Sequence, residues 1–239
     1  MKRAAAESGG TRLPEEARID RALPIGDQVY RILRHAIITL RLQPGAVVIE
    51  KDITDRLGIS RTPVRDAVRL LAEERLLDVR PQFGTYVAHI DRQRFEEGHL
   101  IRRALESESI RLAVRNVDEV AIDHLRDLLL LQERAAARGR HEEFIACDDA
   151  FHKFIAELSG HDRLWEIVQR SKADLDRVRH LASTMPQEEA RAIAEHRSIV
   201  GALGRRGSSD RAVKALTDHL DDAYKRSLAI LEQHAEMVQ

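Results

Sequence analysis

Cysteine is almost absent from this 239-residue chain. The single residue, Cys147, excludes a disulfide framework and any metal site built on several thiolates. Aromatic residues are scarce at 4%, with only 12 Gly and 6 Pro, a profile that favours helices over sandwiches and barrels. No apolar run approaches the ~20 residues that a membrane span needs. Met1 to Arg21 lacks the apolar core of a signal segment, so a soluble cytoplasmic protein is expected. Excess charge is missing too. The 39 Lys+Arg residues are balanced by 40 Asp+Glu, a net of −1, which rules out holding nucleic acid by bulk positive charge and leaves room for a local basic face.

What is present is a charged, helix-forming chain, 33% charged and 43% hydrophobic, rich enough in apolar residues for a core. Residues 1–22 are small and polar and read as a disordered tail. From 23 to 90 turn signals are frequent: Pro24, Pro44-Gly45, Gly58, Pro63, Pro81 and Gly84. From 91 to 239 long helical periods take over. Charge changes at the same boundary: residues 1–90 carry 15 Lys+Arg against 12 Asp+Glu, and residues 91–239 carry 24 against 28. The first part is net basic, which suits a DNA-reading half.

In that half, Val29, Ile32, Leu33, Ala36, Ile37 and Leu40 recur at three and four, predicting a helix over 27–40. A short helix follows over 50–57 and ends at Gly58, a residue tolerant of positive φ. Ser60 is placed to cap a third helix, with Pro63 in its first turn, where a missing N–H costs nothing. Val64, Ala67, Val68 and Leu71 form its buried stripe, while Arg61, Arg65 and Arg69 share another face. Two short strands joined by PQFG come next. Helix, short helix, turn, helix and hairpin is the order of a winged helix-turn-helix, whose third helix enters the major groove. Arg61 and Arg65 stand in its first turns, where a guanidinium can bond guanine O6 and N7 together. The hydroxyls of Ser60 and Thr62 suit phosphate. Lys51 is placed to grip backbone or base, and Gly84 to let the wing approach the minor groove. A solvated helix face is the bland alternative for three arginines at spacing four. The capped helix start and the flanking turn and hairpin argue against it.

The second half is read as six helices, 92–114, 118–138, 141–158, 162–182, 187–204 and 208–236. The fold class is therefore mainly α: an N-terminal winged helix-turn-helix followed by an all-α six-helix bundle. Polar residues interrupt its apolar stripes. Ile145, Asp148, His152 and Ile155 share one stripe; Ile193, His196, Val200 and Leu203 another; Leu216, His219 and Ala223 a third. One carboxylate and three imidazoles thus stand where apolar residues belong. Burying such groups is costly without a partner or a metal. Four N and O ligands suit one divalent ion, Zn, Ni, Mn, Fe or Co, with Zn or Ni favoured. Glu195 is expected to point off its stripe, and Cys147 to be packing.

The stretch LQPGAVVIEKDITDRLGISRTPVRDAVRLLAEERLLDVRPQFGTYV resembles the DNA-binding domain of the GntR family of bacterial transcription regulators. That resemblance implies DNA contacts from Lys51, Arg61, Arg65 and Gly84. One departure stands at Glu74-Arg75, where the family often has an acidic residue and Gly. It is expected to alter the approach to the wing without removing binding. ACDDAFHKFIAELSG, AEHRSIVGAL and ALTDHL resemble the helical ligand-binding domain of the FadR-type branch, called FCD, and the helix count points to its shorter, VanR-like subset. The resemblance implies Asp148, His152, His196 and His219 as ligands of one metal. It implies Arg102, four before Glu106, as the group that binds an effector carboxylate.

These features lead to the expectation of a DNA-binding transcription regulator, not an enzyme, and a repressor by preference. A small organic acid would bind at the metal and Arg102. A homodimer would read a palindromic operator, since one short helix gives limited affinity. A direct metal sensor, or a regulator with a structural metal only, is the alternative. A metal-dependent hydrolase is disfavoured because no H-E-x-x-H and no general base stand out.

Overall fold

The computed structural model describes residues 11, 13–14, 16–182, 186–204 and 209–238. The chain divides after Ile90 into two compact units.

In the N-terminal unit, α1 (Ile25–Ile38) buries Val29, Leu33, Ala36 and Ile37. It starts and ends two residues earlier than its period predicted. Leu40 lies beyond it with φ +59, and buried Leu42 closes the core instead, its N–H bonded to the Ala36 carbonyl at 2.9 Å. Helix α2 (Glu50–Leu57) stops at Gly58 in the left-handed conformation expected of it, φ +64. Helix α3 (Arg61–Glu73) buries Val64, Ala67, Val68 and Leu71 as its period required. Strands β2 (Leu77–Arg80) and β3 (Gly84–Val87) form the wing. A third strand, β1 (Val47–Val48), escaped sequence reading because two residues are too few to show alternation. It pairs antiparallel with β3, Val47 opposite Tyr86, giving the order β1-β3-β2.

The disordered tail expected over 1–22 is corrected from Thr11 onward, while residues 1–10, 12 and 15 lie outside the described residues. Thr11 donates its N–H to Asp52 at 2.8 Å and accepts the Ile49 N–H on its hydroxyl at 2.6 Å. Leu13 and Ala17 are buried, and the Gln28 side chain ties down the Asp20 backbone at both its N–H and its carbonyl, each at 2.8 Å. Two small apolar anchors and a few backbone bonds hold a segment whose composition alone reads as free.

The second unit contains seven α-helices among the described residues, not six: α4 (Arg92–Ala113), α5 (Glu119–Ala137), α6 (His141–Leu158), α7 (Arg163–Ser171), α8 (Ala173–Ala182), α9 (Pro186–Leu203) and α10 (Ser209–Gln233). A 3-10 turn, Ala235–Met237, follows. Asp91 and Asp118 cap α4 and α5 by accepting the N–H groups of Arg94 and Ala121. The helix expected over 162–182 breaks at Lys172. That ammonium is buried, 2.7 Å from both Asp176 oxygens and 3.1 Å from both of Asp149. Against the break lies Gly98 of α4, where a Cβ would stand 2.7 Å from the Ser171 carbonyl oxygen. Tertiary ion pairing and close backbone approach end α7, although its local period continues. The helix count that pointed to a shorter subset is replaced accordingly. The apolar core joins Ile110 of α4, Leu125 and Leu129 of α5, Phe151 and Ile155 of α6, Ile199 of α9 and Leu216 of α10.

Candidate metal centre and DNA-reading surface

Helices α6, α9 and α10 carry His152, His196 and His219 to one point, all three buried, with one ring nitrogen of each within 4.8 Å of the others. Their inward position follows from the stripes they interrupt. The Nε2 atoms of His196 and His219 are 3.3 Å apart. Asp148, one turn before His152, sits beside them, with Oδ1 3.6 Å from His196 Nε2 and Oδ2 3.9 Å from His152 Nε2. A tetrahedral ion with metal–nitrogen bonds of about 2.1 Å spaces its ligands roughly 3.4 Å apart, which the His196–His219 and His196–Asp148 spacings match, while the wider ones require the side chains to close in. The buried His152 Nε2 has no hydrogen-bond partner among the described residues. A buried polar nitrogen with no partner, standing in a cluster of possible ligand atoms, fits a divalent ion.

Each opposite ring nitrogen faces an acceptor. His152 Nδ1 lies 2.6 Å from Glu106, His196 Nδ1 2.9 Å from Gln132 Oε1 and His219 Nδ1 2.7 Å from Glu195. For His196 and His219 the acceptor fixes a tautomer and leaves Nε2 to bind, the usual support for an imidazole ligand, whereas the Glu106 contact of His152 is close without hydrogen-bond alignment. Sequence reading gave none of the three this role, and it turned Glu195 away. Glu195 does leave the α9 stripe, but α10 comes to meet it, and Arg226 grips its two oxygens at 2.9 and 3.0 Å. Gln132 left a signal, because it is a buried amide on the α5 stripe of Leu125 and Leu129. Arg179 of α8, also unforeseen, pairs with Asp148 Oδ2 and with Asp149 and Asp176.

Burial and neighbouring charges shift several of these groups. Burial pushes His196 well below the ordinary imidazole value, with its neighbour His219 adding to the effect. Burial also lowers His219, against the pull of Glu195. Burial opposes ionisation of Asp148, yet the Arg179 guanidinium outweighs it and keeps the carboxyl well below its usual range. Glu106 is likewise buried, but Arg102 and His152 bring it down to about 2. Neutral imidazoles and an ionised carboxylate are the forms that bind metal.

Arg102 lies on α4 and is buried. Its Nε donates to Glu106 at 2.6 Å, while Nη2 is buried with no partner among the described residues. Both Arg102 and the metal-site residues Asp148 and His219 line a cavity of about 80 Å³. Phe144, Ile145, Ala192 and Ala223 supply its apolar walls, and Glu188, Glu189 and Arg226 its polar ones. The space corresponds to a handful of waters, the size of a short organic molecule.

On the N-terminal unit, Ser60 occupies the N-cap position of α3, but its side chain makes no capping bond. The hydroxyl and the first N–H groups of the helix are left to an outside acceptor. Arg61, Thr62 and Arg65 are exposed along its first turns. Arg65 reaches Glu50 at 3.2 Å and Lys51 reaches Asp55 at 2.6 Å, exposed pairs that cost little to exchange for phosphate or base. Arg61 makes no ion pair among the described residues. Arg75 keeps a left-handed conformation, φ +57, so the chain turns into the wing as a glycine there would. Gly84, φ +123, begins β3.

The sequence of residues 25–87 matches the family of bacterial regulatory proteins called gntR, and residues 98–222 match the FCD domain. The HTH-type transcriptional repressor RspR of Escherichia coli is 30% identical over 221 residues, covering 92% of this chain and 96% of that protein. An HTH-type transcriptional regulator of Streptomyces ambofaciens is 36% identical over 192 residues, 80% of each chain. Among solved structures, McbR/YncC of Escherichia coli superimposes with a TM-score of 0.73 at 26% identity, over 89% of this chain and 99% of that one. These relatives are regulators of transcription, not enzymes, and no helix of the described residues is long and apolar enough to cross a membrane. The chain belongs to the GntR family of DNA-binding transcription regulators, with an FCD domain as its C-terminal half.

Proposed function

We propose that this regulator is a cytoplasmic repressor that senses a small carboxylate at a divalent metal ion, Zn or Ni by preference, and binds a palindromic operator as a homodimer. The observation that carries the sensing half is the convergence of three buried imidazoles, with His219 and Asp148 of that cluster lining one cavity beside an unpartnered Arg102 nitrogen. Asp148, His152, His196 and His219 would hold the ion, which supplies a Lewis-acidic anchor for one carboxylate oxygen. Arg102 Nη2 donates to that carboxylate, while Glu106 steadies the guanidinium from its other edge. Phe144 and Ile145 exclude water from one side of the bound acid, and Glu188 and Glu189 receive hydroxyl or ammonium groups at its other end. Repression follows the name of RspR, a repressor similar along nearly the whole chain.

On the DNA, Arg61 and Arg65 read base edges, while Lys51, Ser60, Thr62 and the backbone at Gly84 fix register on phosphate and sugar. The acid alters DNA affinity only through its unequal affinity for the DNA-competent and DNA-incompetent states.

The test is electrophoretic mobility of the protein's own promoter fragment, with metal and with a panel of short acids. One or more acids should change retardation of the wild type and leave Arg102→Ala unresponsive. A chelator-sensitive shift that no acid alters, and that Arg102→Ala retains, would support a direct metal sensor instead, the reading favoured by three histidines already poised without an acid.

A further inference from the structure

Phe83 stands at the apex of the wing with 79% of its surface exposed, more than any other large hydrophobic among the described residues. The frame beneath this bare ring is firm. The Phe83 N–H closes a turn on the Arg80 carbonyl at 3.0 Å. Gln82 takes the left-handed conformation, φ +66, and the glycine after Phe83 starts β3 directly opposite Arg80. The Tyr86 hydroxyl donates to the Phe83 carbonyl at 3.0 Å, and the Arg80 guanidinium lies 4.9 Å from the centre of the Tyr86 ring. These contacts hold the backbone from which the ring projects. A large apolar side chain standing clear of the core at a hairpin tip is free to insert into a partner of the DNA-binding unit.

The partner is defined by the unit that carries the tip. The wing follows α3 directly and belongs to the DNA-binding half, with a cation at one shoulder and a glycine at the other. A narrow hairpin of this kind fits the minor groove. Apolar side chains that enter the minor groove insert between base pairs, unstack them and kink the duplex. We propose that Phe83 is such a wedge: it inserts from the wing into a minor-groove base step and bends the operator. Sequence preference then arises at a step that receives no hydrogen bond, because TA and CA/TG steps open more readily than A-tracts. The inference rests on DNA binding by this half and goes beyond it in assigning a deformation of the DNA to one residue.

The test uses full-length protein and a duplex that it selects from a randomised library. 2-Aminopurine is placed at successive positions along each flank, and the bend is read by energy transfer between end labels. Wild type should raise fluorescence at one step per half-site and bring the duplex ends together. Phe83→Ala should fold with an unchanged melting temperature, since the ring supports no core. It should lose the fluorescence rise, straighten the duplex and bind at least about fivefold more weakly. Its salt dependence should match wild type, because no charge is removed. Phe83→Leu should retain part of the bend, an apolar wedge being what the step requires. Unstacking and bending that are identical in wild type and Phe83→Ala would overturn the proposal, as would wild-type binding with no unstacked step. Gel retardation of the same samples reports DNA binding separately, so loss of the wedge is distinguishable from loss of the DNA-binding reading.

Discussion

A protonated imidazole cannot ligate a metal, so an ion held by the proposed site would be bound in a pH-dependent way. Burial lowers His196 and His219 in the folded protein, so below the ordinary imidazole value the unfolded chain binds protons that the folded one refuses. Stability of the metal-free protein should therefore fall as pH drops below about 6.5. Urea titrations in chelator at pH 7.5, 6.5 and 5.5 should show a steadily lower midpoint, and an unchanged midpoint would contradict the neutral, buried assignment. Glu106 acts in a lower window. Its folded value of about 2 lies below the ordinary 4.5, so it stabilises above 4.5 and that contribution is lost as pH falls toward 2. The shift corresponds to something on the order of 3 kcal/mol. Glu106→Gln should flatten the acid limb of stability, and it should weaken zinc binding about 10–100-fold because His152 loses its orienting acceptor. The inward histidines were legible one by one, since each breaks an apolar period. Their acceptors were not, because Gln132 lies 64 residues from His196 and Glu195 lies 24 from His219.

At the scale of elements, the joint between α7 and α8 sets the position of the site's arginine clamp. An uninterrupted helix would carry the residues after Lys172 along the α7 axis. The break instead starts α8 afresh, and Arg179 meets Asp148. Gly98 makes that joint possible, because any side chain there meets the Ser171 carbonyl. Gly98→Ala should cost about 1–3 kcal/mol, despite the better helix propensity of alanine, because neither backbone can yield without repacking. Chemical denaturation measures it, and a neutral or stabilised variant would show that α4 stands further off. On the reading helix, Arg61→Ala should weaken binding to a selected operator by about 1–3 kcal/mol and relax its sequence preference. Lys51→Ala should weaken all duplexes alike and reduce the salt slope by about one. Equal behaviour of the two variants would place Arg61 on phosphate. The DNA-reading helices were legible because short helices with a glycine stop, a capped start and a clean stripe carry their own boundaries. The α7–α8 break was illegible because its cause, a buried ammonium between Asp149 and Asp176, is assembled from different helices.

At the scale of the molecule, the ion would bind the folded C-terminal unit and the unfolded chain much more weakly. Zinc at a hundredfold excess over its dissociation constant should then raise the stability of that unit by about 2.7 kcal/mol. The N-terminal unit, whose described residues hold no cluster of this kind, should be unaffected. Calorimetry with and without chelator should move one transition and leave the other in place. Movement of both, or of neither, would sink either the independence of the units or the metal assignment.

The sequence alone determined which residues face inward, where most helices begin and end, that one half belongs to a DNA-binding family, and which polar side chains interrupt the apolar stripes of the other half. Helical period and capping are local properties, and a local pattern is enough to specify them. Only tertiary structure decided that Thr11, Leu13 and Ala17 pack down, that a short edge strand joins the wing, that a helix breaks at Lys172, and that Glu106, Gln132, Glu195 and Arg179 gather around the inward histidines and Asp148. Each of those depends on which groups from distant elements arrive at the same place, and the free energy of a buried polar group is fixed by the partner it meets there.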